Sequence, residues 1–167
     1  KRLSIQDLSQ NGNQPMISQS RRYVIVFNGE IYNHFQIRNK LKIFNINWRS
    51  NSDTETILET YERLGLLETL SLLTGMFSFS IYDVKENNLV LCRDRFGEKP
   101  LYYGLKDNIF FFSSELKILK NSNFKKTLNK NALNLYLKYG YIPSPYSIYN
   151  EIEKVAEKFK DSSNFLY

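Results

Sequence analysis

Residues 23–33 read Tyr-Val-Ile-Val-Phe-Asn-Gly-Glu-Ile-Tyr-Asn, an apolar run followed by a polar corner. The first five residues are typical of a strand that is covered on both faces, and we expect this strand to end at Asn28-Gly29. From Asn33 the apolar residues recur at helical spacing, and Gln36 three residues later is typical of a capping box. This stretch therefore predicts a buried strand, a sharp corner and a helix over residues 33–44.

A second helix is expected to begin at Ser52. Ser52 and Glu55 have the Ser-x-x-Glu form, in which each side chain pairs with an amide of the first helical turn. Gly65 is a natural stop for this helix, and Glu59 with Arg63 is expected to form an exposed ion pair one turn apart. Further helices are expected at residues 66–73, 113–119 and 130–139, and short strands at residues 76–82, 89–92, 101–104 and 109–112. Short strands in succession after two helices favour antiparallel sheets with helices outside them, an α+β class.

The composition excludes several classes of protein. With 167 residues, 42% of them hydrophobic, and 12 Tyr and 12 Phe, the chain has enough apolar surface for a globular core, so intrinsic disorder is excluded. It contains no run of about 18 uncharged apolar residues, so we expect no membrane span. The net charge of +6 is spread among 17 acidic residues, which favours a solvated surface over a nucleic-acid partner. A single cysteine suits a reducing compartment, and we expect a cytoplasmic location.

Two roles are open for Asn28-Gly29. Asn-Gly is a strong signal for a hairpin turn. The residues that follow are too few to return as a strand before the next helix. A side-chain amide beside an open backbone N–H at a strand end could instead stabilise an oxyanion.

Other polar residues have an ordinary and a chemical interpretation. Asp53 suits the first turn of a helix, where the helix dipole favours an acid, but it could also hold a substrate ammonium group. Arg2 is either solvated or a bidentate partner for a substrate carboxylate. Cys92 lies in an alternating apolar run and is expected to be a core thiol rather than a nucleophile. His34 is expected at the surface or in a capping position, a single histidine removes most zinc-site layouts, and we expect no metal site.

Seven short motifs occur together in one order. They are Arg2-Leu3-Ser4-Ile5 with Asp7-Leu8, Gln14-Pro15-Met16, residues 27–33, Ser52-Asp53-Thr54-Glu55, Gly75-Met76-Phe77-Ser78-Phe79, Arg93-Asp94-Arg95-Phe96-Gly97 with Lys99-Pro100-Leu101-Tyr102, and Ser113-Ser114-Glu115-Leu116-Lys117. Through them the chain resembles the glutaminase domain of glutamine-hydrolysing asparagine synthetases, which are class II glutamine amidotransferases. The resemblance covers residues 1–120 and continues more weakly through residues 139–143.

The resemblance implies the N-terminal-nucleophile hydrolase fold, a four-layer αββα sandwich of two antiparallel sheets, here incomplete at its N-terminus. It also implies that glutamine is hydrolysed through a thioester on an N-terminal cysteine, and that the ammonia passes to a domain that activates aspartate with ATP. By the matching positions, Asn28 and Gly29 form the oxyanion hole. Arg2 pairs with the carboxylate of glutamine, and Glu30 and Asp53 bind its amino group.

Two parts of such an enzyme are expected to lie outside this chain. Lys1 is not a cysteine, and the resemblance places the family's opening strand and its nucleophile upstream of Arg2, so the catalytic cysteine is expected there. Cys92 matches a structural strand position of the family and cannot replace it. ATP and Mg²⁺ would serve a C-terminal synthetase domain that the chain lacks. Residues 1–120 are therefore expected to form a truncated glutaminase domain and residues 121–167 a connector, and this chain alone is expected to be inactive.

Other functions remain open on the sequence alone. The parent could be an amidotransferase with a different ammonia acceptor, such as a sugar or an antibiotic precursor. The chain could also be a catalytically dead remnant that survives as a binding module. Glutamine and the synthetase domain are the expected partners, and a homodimer is left undecided.

Overall fold

A computed structural model describes residues 12–106, 108–117 and 126–156. These residues belong to two compact units, with the division between Leu91 and Cys92. The first unit contains the residues around the Asn28-Gly29 corner and the helix that begins at Asp53. Arg2 lies outside the described residues.

The first unit contains a four-stranded sheet in the order β1-β2-β3-β4 and two α-helices. In chain order its elements are β1 (Met16–Ile17), β2 (Tyr23–Ile31), α1 (His34–Lys40), a 3-10 helix (Leu41–Phe44), α2 (Asp53–Leu72), β3 (Gly75–Asp83) and β4 (Asn88–Arg93), the last of which ends in the second unit. Helix α2 packs against β2, and α1 packs against α2. The core between them is apolar, and its fully buried side chains include Ile25, Ile31, Ile37, Leu41, Ile57, Leu58, Phe79 and Ile81.

The second unit contains a three-stranded sheet in the order β6-β5-β7. Its elements are β5 (Tyr102–Lys106), β6 (Ile109–Ser113), α3 (Lys130–Tyr139) and β7 (Glu153–Lys154), and β5 pairs antiparallel with both neighbours. The loop before β5 is held by Asp94, whose carboxylate accepts the backbone N–H groups of Phe96, Glu98 and Lys99. The described residues 114–117 form a turn, where the sequence predicted the start of a helix.

The α+β class with two antiparallel sheets is confirmed, but β2 differs from its prediction in two ways. The strand runs through Asn28-Gly29 to Ile31 instead of ending there, because β3 pairs with it residue for residue from Tyr23 to Ile31. It is also not covered on both faces: Ile25 is fully buried, whereas Val26 is 44% exposed. An apolar run alone therefore overstated the burial of this strand.

Gly29 allows this continuous pairing. Its φ of +149° is a conformation that side chains disfavour, and a Cβ there would lie 2.2 Å from the backbone oxygen of Met76 and 2.7 Å from Cα of Phe77. Since backbone atoms of a paired strand cannot move aside cheaply, this position requires glycine.

Helix α2 begins as predicted, with the Ser52 hydroxyl accepting the N–H of Thr54. Gly65 has non-helical backbone angles, φ +76° and ψ −179°, so α2 consists of two helical segments that meet at a kink there. This agrees with the predicted stop at Gly65 and the predicted helix over residues 66–73. Glu59 and Arg63 form the predicted ion pair, 3.2 Å apart, but Glu59 is fully buried rather than exposed. The helix thus carries charge into the interior of its unit.

Replacing Gly29 by alanine is expected to destabilise the fold by roughly 2–4 kcal/mol, since it adds backbone strain to a clash with β3. Gly65→Ala is the matched control, because Gly65 also has a positive φ but a Cβ at this position would meet no atom within 4 Å. Its cost is expected to be about 1–3 kcal/mol, from backbone strain alone, since φ +76° with ψ −179° is a conformation almost confined to glycine. Urea unfolding of both variants measures the difference, and equal losses would contradict the close approach of β2 and β3 at Gly29.

Candidate active site

Alternate backbone N–H groups of β2 point to opposite edges of the strand, and the hydrogen bonds at its two ends show which residues face β1 and which face β3. Tyr32 N donates to Thr74 O on the side of β3, whereas Tyr23 O accepts from Ser18 N on the side of β1. In an antiparallel sheet this alternation continues along the strand. The N–H groups of Phe27, Gly29 and Ile31 therefore all face the side of β1. We call this side the open edge because, among the described residues, β1 begins only at Met16, opposite Ile25, and pairs with no residue of β2 beyond it.

Two of the three amides on the open edge are bound by side chains. Phe27 N donates to Gln14 Oε1 at 2.6 Å, and Ile31 N donates to Asp53 Oδ2 at 3.0 Å. The amide of Gly29 lies between them, and no side chain of the described residues accepts a hydrogen bond from it. An N–H that points to an open sheet edge between two occupied amides is a candidate donor to a ligand oxygen.

Asp53 is fixed at this edge by backbone N–H groups. Its Oδ2 accepts from Ile31 N, and its Oδ1 accepts from Thr54 N at 2.9 Å. The side chain is buried, with the residue only 5% exposed. Helix α2 therefore supplies a carboxylate to the end of β2, as the sequence allowed but could not establish from the helix pattern alone.

The electrostatic surroundings of Asp53 disfavour its charge. Burial raises the pKa of its carboxyl group, the N–H groups of Ile31 and Thr54 lower it, and the nearby charge of Glu30 raises it further. Among the described residues no cation forms an ion pair with Asp53. A buried carboxylate beside a second acid is unfavourable by itself and would be stabilised by a bound cation.

Arg38 on α1 holds the backbone that leads into Asp53. Its guanidinium donates to Ser50 O at 2.8 Å, to Ser52 O at 2.7 Å and to Thr56 Oγ1 at 2.8 Å. Hydrogen bonds from a charged, planar group in three directions fix the start of α2 against α1. Sequence reasoning assigned no role to Arg38, because the carbonyls that it binds become neighbours only in the folded chain.

Glu55 holds the same loop from the other side, in a role that differs from its prediction. Instead of capping Ser52, its carboxylate accepts the backbone N–H groups of Arg49 and Ser50 at 3.0 and 2.8 Å. The amide of Ser52 donates to Ser50 Oγ instead. The predicted capping box is therefore only half correct, and its glutamate orders the loop before the helix.

Asn33 and His34 also differ from their predictions. Asn33 does not cap α1 through its side chain. It donates to Leu72 O and accepts from Thr74 N, and so joins the end of α2 to the start of β3. His34 is only 5% exposed rather than at the surface, and burial lowers its pKa, with a further lowering from Arg38 and an opposing effect of Glu30.

The structure thus brings together four of the five candidate site residues. Asn28, Gly29 and Glu30 are consecutive on β2, and Asp53 bonds to the next amide along the strand. We call residues 28–30 the corner. Asn28 is exposed, and Glu30 is half-buried. The fifth, Arg2, falls outside the described residues.

Cys92 lies in the second unit and is buried, with 7% of its surface exposed. Burial raises the pKa of its thiol far above the usual range. A thiol of this kind is not a nucleophile at neutral pH.

The part of the chain that the structure describes holds neither a metal-binding cluster nor a membrane-spanning helix. No group of three or more histidine, cysteine, aspartate or glutamate side chains comes together there in a way that could hold a metal ion. None of the helices in those ranges combines the length and apolar character needed to cross a bilayer.

The family model of the glutamine amidotransferase domain matches residues 1–160. A protein of Methanocaldococcus jannaschii that carries the provisional name glutamine-hydrolysing asparagine synthetase 2 is 40% identical, over 94% of this chain and 33% of its own length. Glutamine-hydrolysing asparagine synthetase 1 of Bacillus subtilis is 37% identical, over 93% of this chain and 24% of its own length. This chain therefore spans a third or less of these relatives.

Among solved structures, glutamine phosphoribosylpyrophosphate amidotransferase from B. subtilis, in complex with ADP and GMP, superposes with a TM-score of 0.61. The match covers 91% of this chain and 33% of the other, with 17% sequence identity. At this identity the likeness concerns the fold alone, and it confirms the fold expected from the sequence.

The raised pKa of Asp53 predicts how stability depends on pH. The folded chain holds the Asp53 proton more tightly than the unfolded chain, so this group's contribution to stability is full below its ordinary pKa near 3.8 and is lost as pH rises through the folded value. Asp53→Asn has no carboxyl group to ionise at this position, so it does not lose this stability as the pH rises. Urea unfolding between pH 4 and pH 7 is therefore expected to show the variant gaining stability relative to wild type as pH rises.

Asp83→Asn is the control with the opposite sign. Hydrogen bonds from Arg22 lower the pKa of Asp83, so its contribution to stability is present above its ordinary pKa and is lost as pH falls. This variant is expected to be less stable than wild type at pH 7 and to approach it in acid. A parallel pH dependence of Asp53→Asn and wild type would contradict the electrostatic description of Asp53.

The burial of Cys92 predicts that iodoacetamide does not alkylate the native chain at neutral pH. The same thiol is expected to react in the chain unfolded by urea, where it is exposed and its pKa is normal. Mass spectrometry of the two samples measures the label. Fast alkylation under native conditions would contradict the assignment of Cys92 as a core residue.

Proposed function

The chain belongs to the glutamine amidotransferase domain family, and we propose that it is the glutaminase part of a longer glutamine-dependent asparagine synthetase. In this proposal residues 1–120 carry the glutaminase and residues 121–167 lead toward a synthetase domain. The names of the relatives favour aspartate as the final ammonia acceptor over a sugar or an antibiotic precursor.

The observation that carries the proposal is the spacing along the open edge. The N–H of Gly29 and the N–H of Ile31, which holds Asp53, are two residues apart, or about 6.7 Å along a strand. The amino nitrogen and the side-chain amide carbon of an extended glutamine lie about 5 Å apart by standard bond lengths. With a hydrogen bond at each end, one glutamine can reach both the Gly29 amide and the Asp53 carboxylate.

The corner supplies the donors for the reacting end of glutamine. When a nucleophile attacks the side-chain amide, negative charge develops on its oxygen. The Asn28 side chain and the Gly29 N–H are assigned to bind that oxygen, and a preorganised donor of this kind is worth about 3 kcal/mol to the transition state. The unusual backbone of Gly29 holds the N–H at this place before the substrate arrives.

Asp53 and Glu30 are assigned to the amino group of glutamine. A substrate ammonium supplies the cation that none of the described residues provides to Asp53. Binding would therefore stabilise a carboxylate whose charge the fold disfavours, which makes the free amino group a strong determinant of specificity. Arg2 is assigned to the substrate carboxylate.

The nucleophile is assigned to a cysteine beyond these 167 residues, since Cys92 is buried and unreactive. Its thiolate would form a bond to the side-chain carbonyl carbon of glutamine, and the amide nitrogen would leave as ammonia after taking up a proton. Water would then split the thioester into glutamate and the free thiol. The present residues would bind glutamine, orient it and stabilise the oxyanion.

ATP and Mg²⁺ belong to the proposed synthetase domain, where ATP would activate aspartate for attack by ammonia. The described residues bring together no metal-binding group, and no step on this chain is assigned to either. A cytoplasmic location, glutamine as ligand and the synthetase domain as covalent partner are parts of the same proposal.

Isothermal titration calorimetry of the 167-residue chain tests the assignment. L-glutamine is expected to bind, and Asp53→Asn is expected to weaken binding roughly 10- to 100-fold, because a charge-assisted hydrogen bond is lost. Glutaramic acid, which is glutamine without its amino group, is expected to bind weakly to both proteins. No ammonia release is expected from this chain.

The Asp83→Asn variant serves as the matched control, since it removes the same charge elsewhere in the first unit and is expected to bind L-glutamine like wild type. No binding of L-glutamine to the wild-type chain, or binding that Asp53→Asn leaves unchanged, would contradict the proposed site. Steady ammonia release by the purified chain would contradict the assignment of the nucleophile.

A further inference from the structure

Gln14 occupies the position where the ladder between β1 and β2 breaks off. The register pairs Met16 with Ile25, so the next bonded pair would join Gln14 to Phe27. Pro15 intervenes, and β1 does not include Gln14. The side-chain oxygen of Gln14 accepts the N–H of Phe27 instead, at 2.6 Å.

The other end of the same side chain reaches α2. Gln14 Nε2 lies 3.4 Å from Thr54 Oγ1, and Thr54 is fully buried. The contact is longer than the one to Phe27, but it joins elements that are 40 residues apart in sequence. A primary amide is suited to this position because it accepts at one atom and donates at the other.

These contacts close a ring around the corner. From Phe27 the ring passes through the Gln14 side chain to Thr54, whose N–H binds Asp53, and Asp53 returns to β2 at Ile31. The amides on both sides of the corner are thus held by side chains. Both of those side chains are tied to the first turn of α2.

We propose that Gln14 is a positioning residue, which sets the distance between the Gly29 amide on β2 and the Asp53 carboxylate on α2. The value of this positioning, a cleft that matches the length of glutamine, rests on the proposed function. The structural content of the proposal does not need glutamine and can be tested without it. Gln14 bonds to Phe27 and Thr54 rather than to Gly29 or Asp53, so it is not assigned a catalytic role.

Amide hydrogen exchange of the 167-residue chain, followed by NMR, tests the proposal. In Gln14→Ala the amide of Phe27 loses its acceptor and is expected to exchange faster. If Gln14 positions Asp53, the amide of Ile31 is also expected to exchange roughly tenfold faster, although its own acceptor is intact. Tyr32, whose amide bonds to Thr74 O, is the internal reference and is expected to be unchanged.

Two further variants separate positioning from general loosening. Thr54→Val keeps the shape of the helix residue and the bond from Phe27 to Gln14, so it is expected to speed exchange at Ile31 but not at Phe27. The double variant is expected to match Gln14→Ala at Ile31, because both changes break one bridge. Gln19→Ala removes a side-chain amide that donates to Asn47 O near the β1–β2 turn, and it is expected to affect neither amide.

The outcomes distinguish the two proposals. Faster exchange at Ile31 in Gln14→Ala and Thr54→Val, with Tyr32 unchanged, supports the positioning role. Unchanged exchange at Ile31, or equal acceleration of all three amides, overturns it. Calorimetry then tests the link to glutamine. Weaker L-glutamine binding by Gln14→Ala than by wild type would connect the positioning role to the proposed function. If wild type does not bind L-glutamine, the proposed function fails, and the exchange rates alone decide whether Gln14 positions Asp53.

Discussion

A backbone N–H that a sheet leaves unpaired and shields from water needs another partner, and this requirement governs the open edge of β2. Because β1 contains only Met16 and Ile17, the open edge of β2 continues past it with amides that β1 does not reach. Gln14 binds the amide of Phe27, and Asp53 binds that of Ile31. Since no side chain of the described residues binds the Gly29 amide between them, the short first strand is what creates the proposed site.

The same site has an electrostatic cost, and neighbouring residues hold it in place. Asp53 is buried close to the charge of Glu30, and its pKa is raised, so the unliganded fold disfavours the ionised form of this carboxyl group. Arg38 and Glu55 hold the surrounding loop through backbone groups and keep the carboxylate in place. A buried acid whose charge is disfavoured, and which is nevertheless held firmly in place without a cation partner among the described residues, is typical of a binding site rather than of a structural ion pair.

Local sequence patterns predicted most helices and strands, but they did not predict what several of the side chains in them contact. The start of α2 at Ser52 followed from capping chemistry, and β2 to β6 followed from apolar runs and alternation, because these signals are local in sequence. The two-residue strands β1 and β7 were not predicted. The bridge from Gln14 and the burial of Glu59 depend on groups that are 40 residues away in sequence, so no local pattern could reveal them. The role of Glu55 depends on how residues 49 and 50 fold back onto the helix, which its helix-start pattern does not specify. The shared location of Asn28, Gly29, Glu30 and Asp53 was implied only by the family resemblance, and the open edge of β2 supplies its physical reason.

The central claim is that the Gly29 amide and the Asp53 carboxylate bind opposite ends of one free amino acid. A titration of the isotope-labelled chain with L-glutamine, followed by the Gly29 amide and Asp53 carboxyl resonances, tests this claim most directly. We expect both resonances to shift along one saturation curve, with the Gly29 proton moving downfield as it gains an acceptor. Saturation that leaves the Gly29 amide unmoved, or that shifts the two groups with different affinities, would contradict the account.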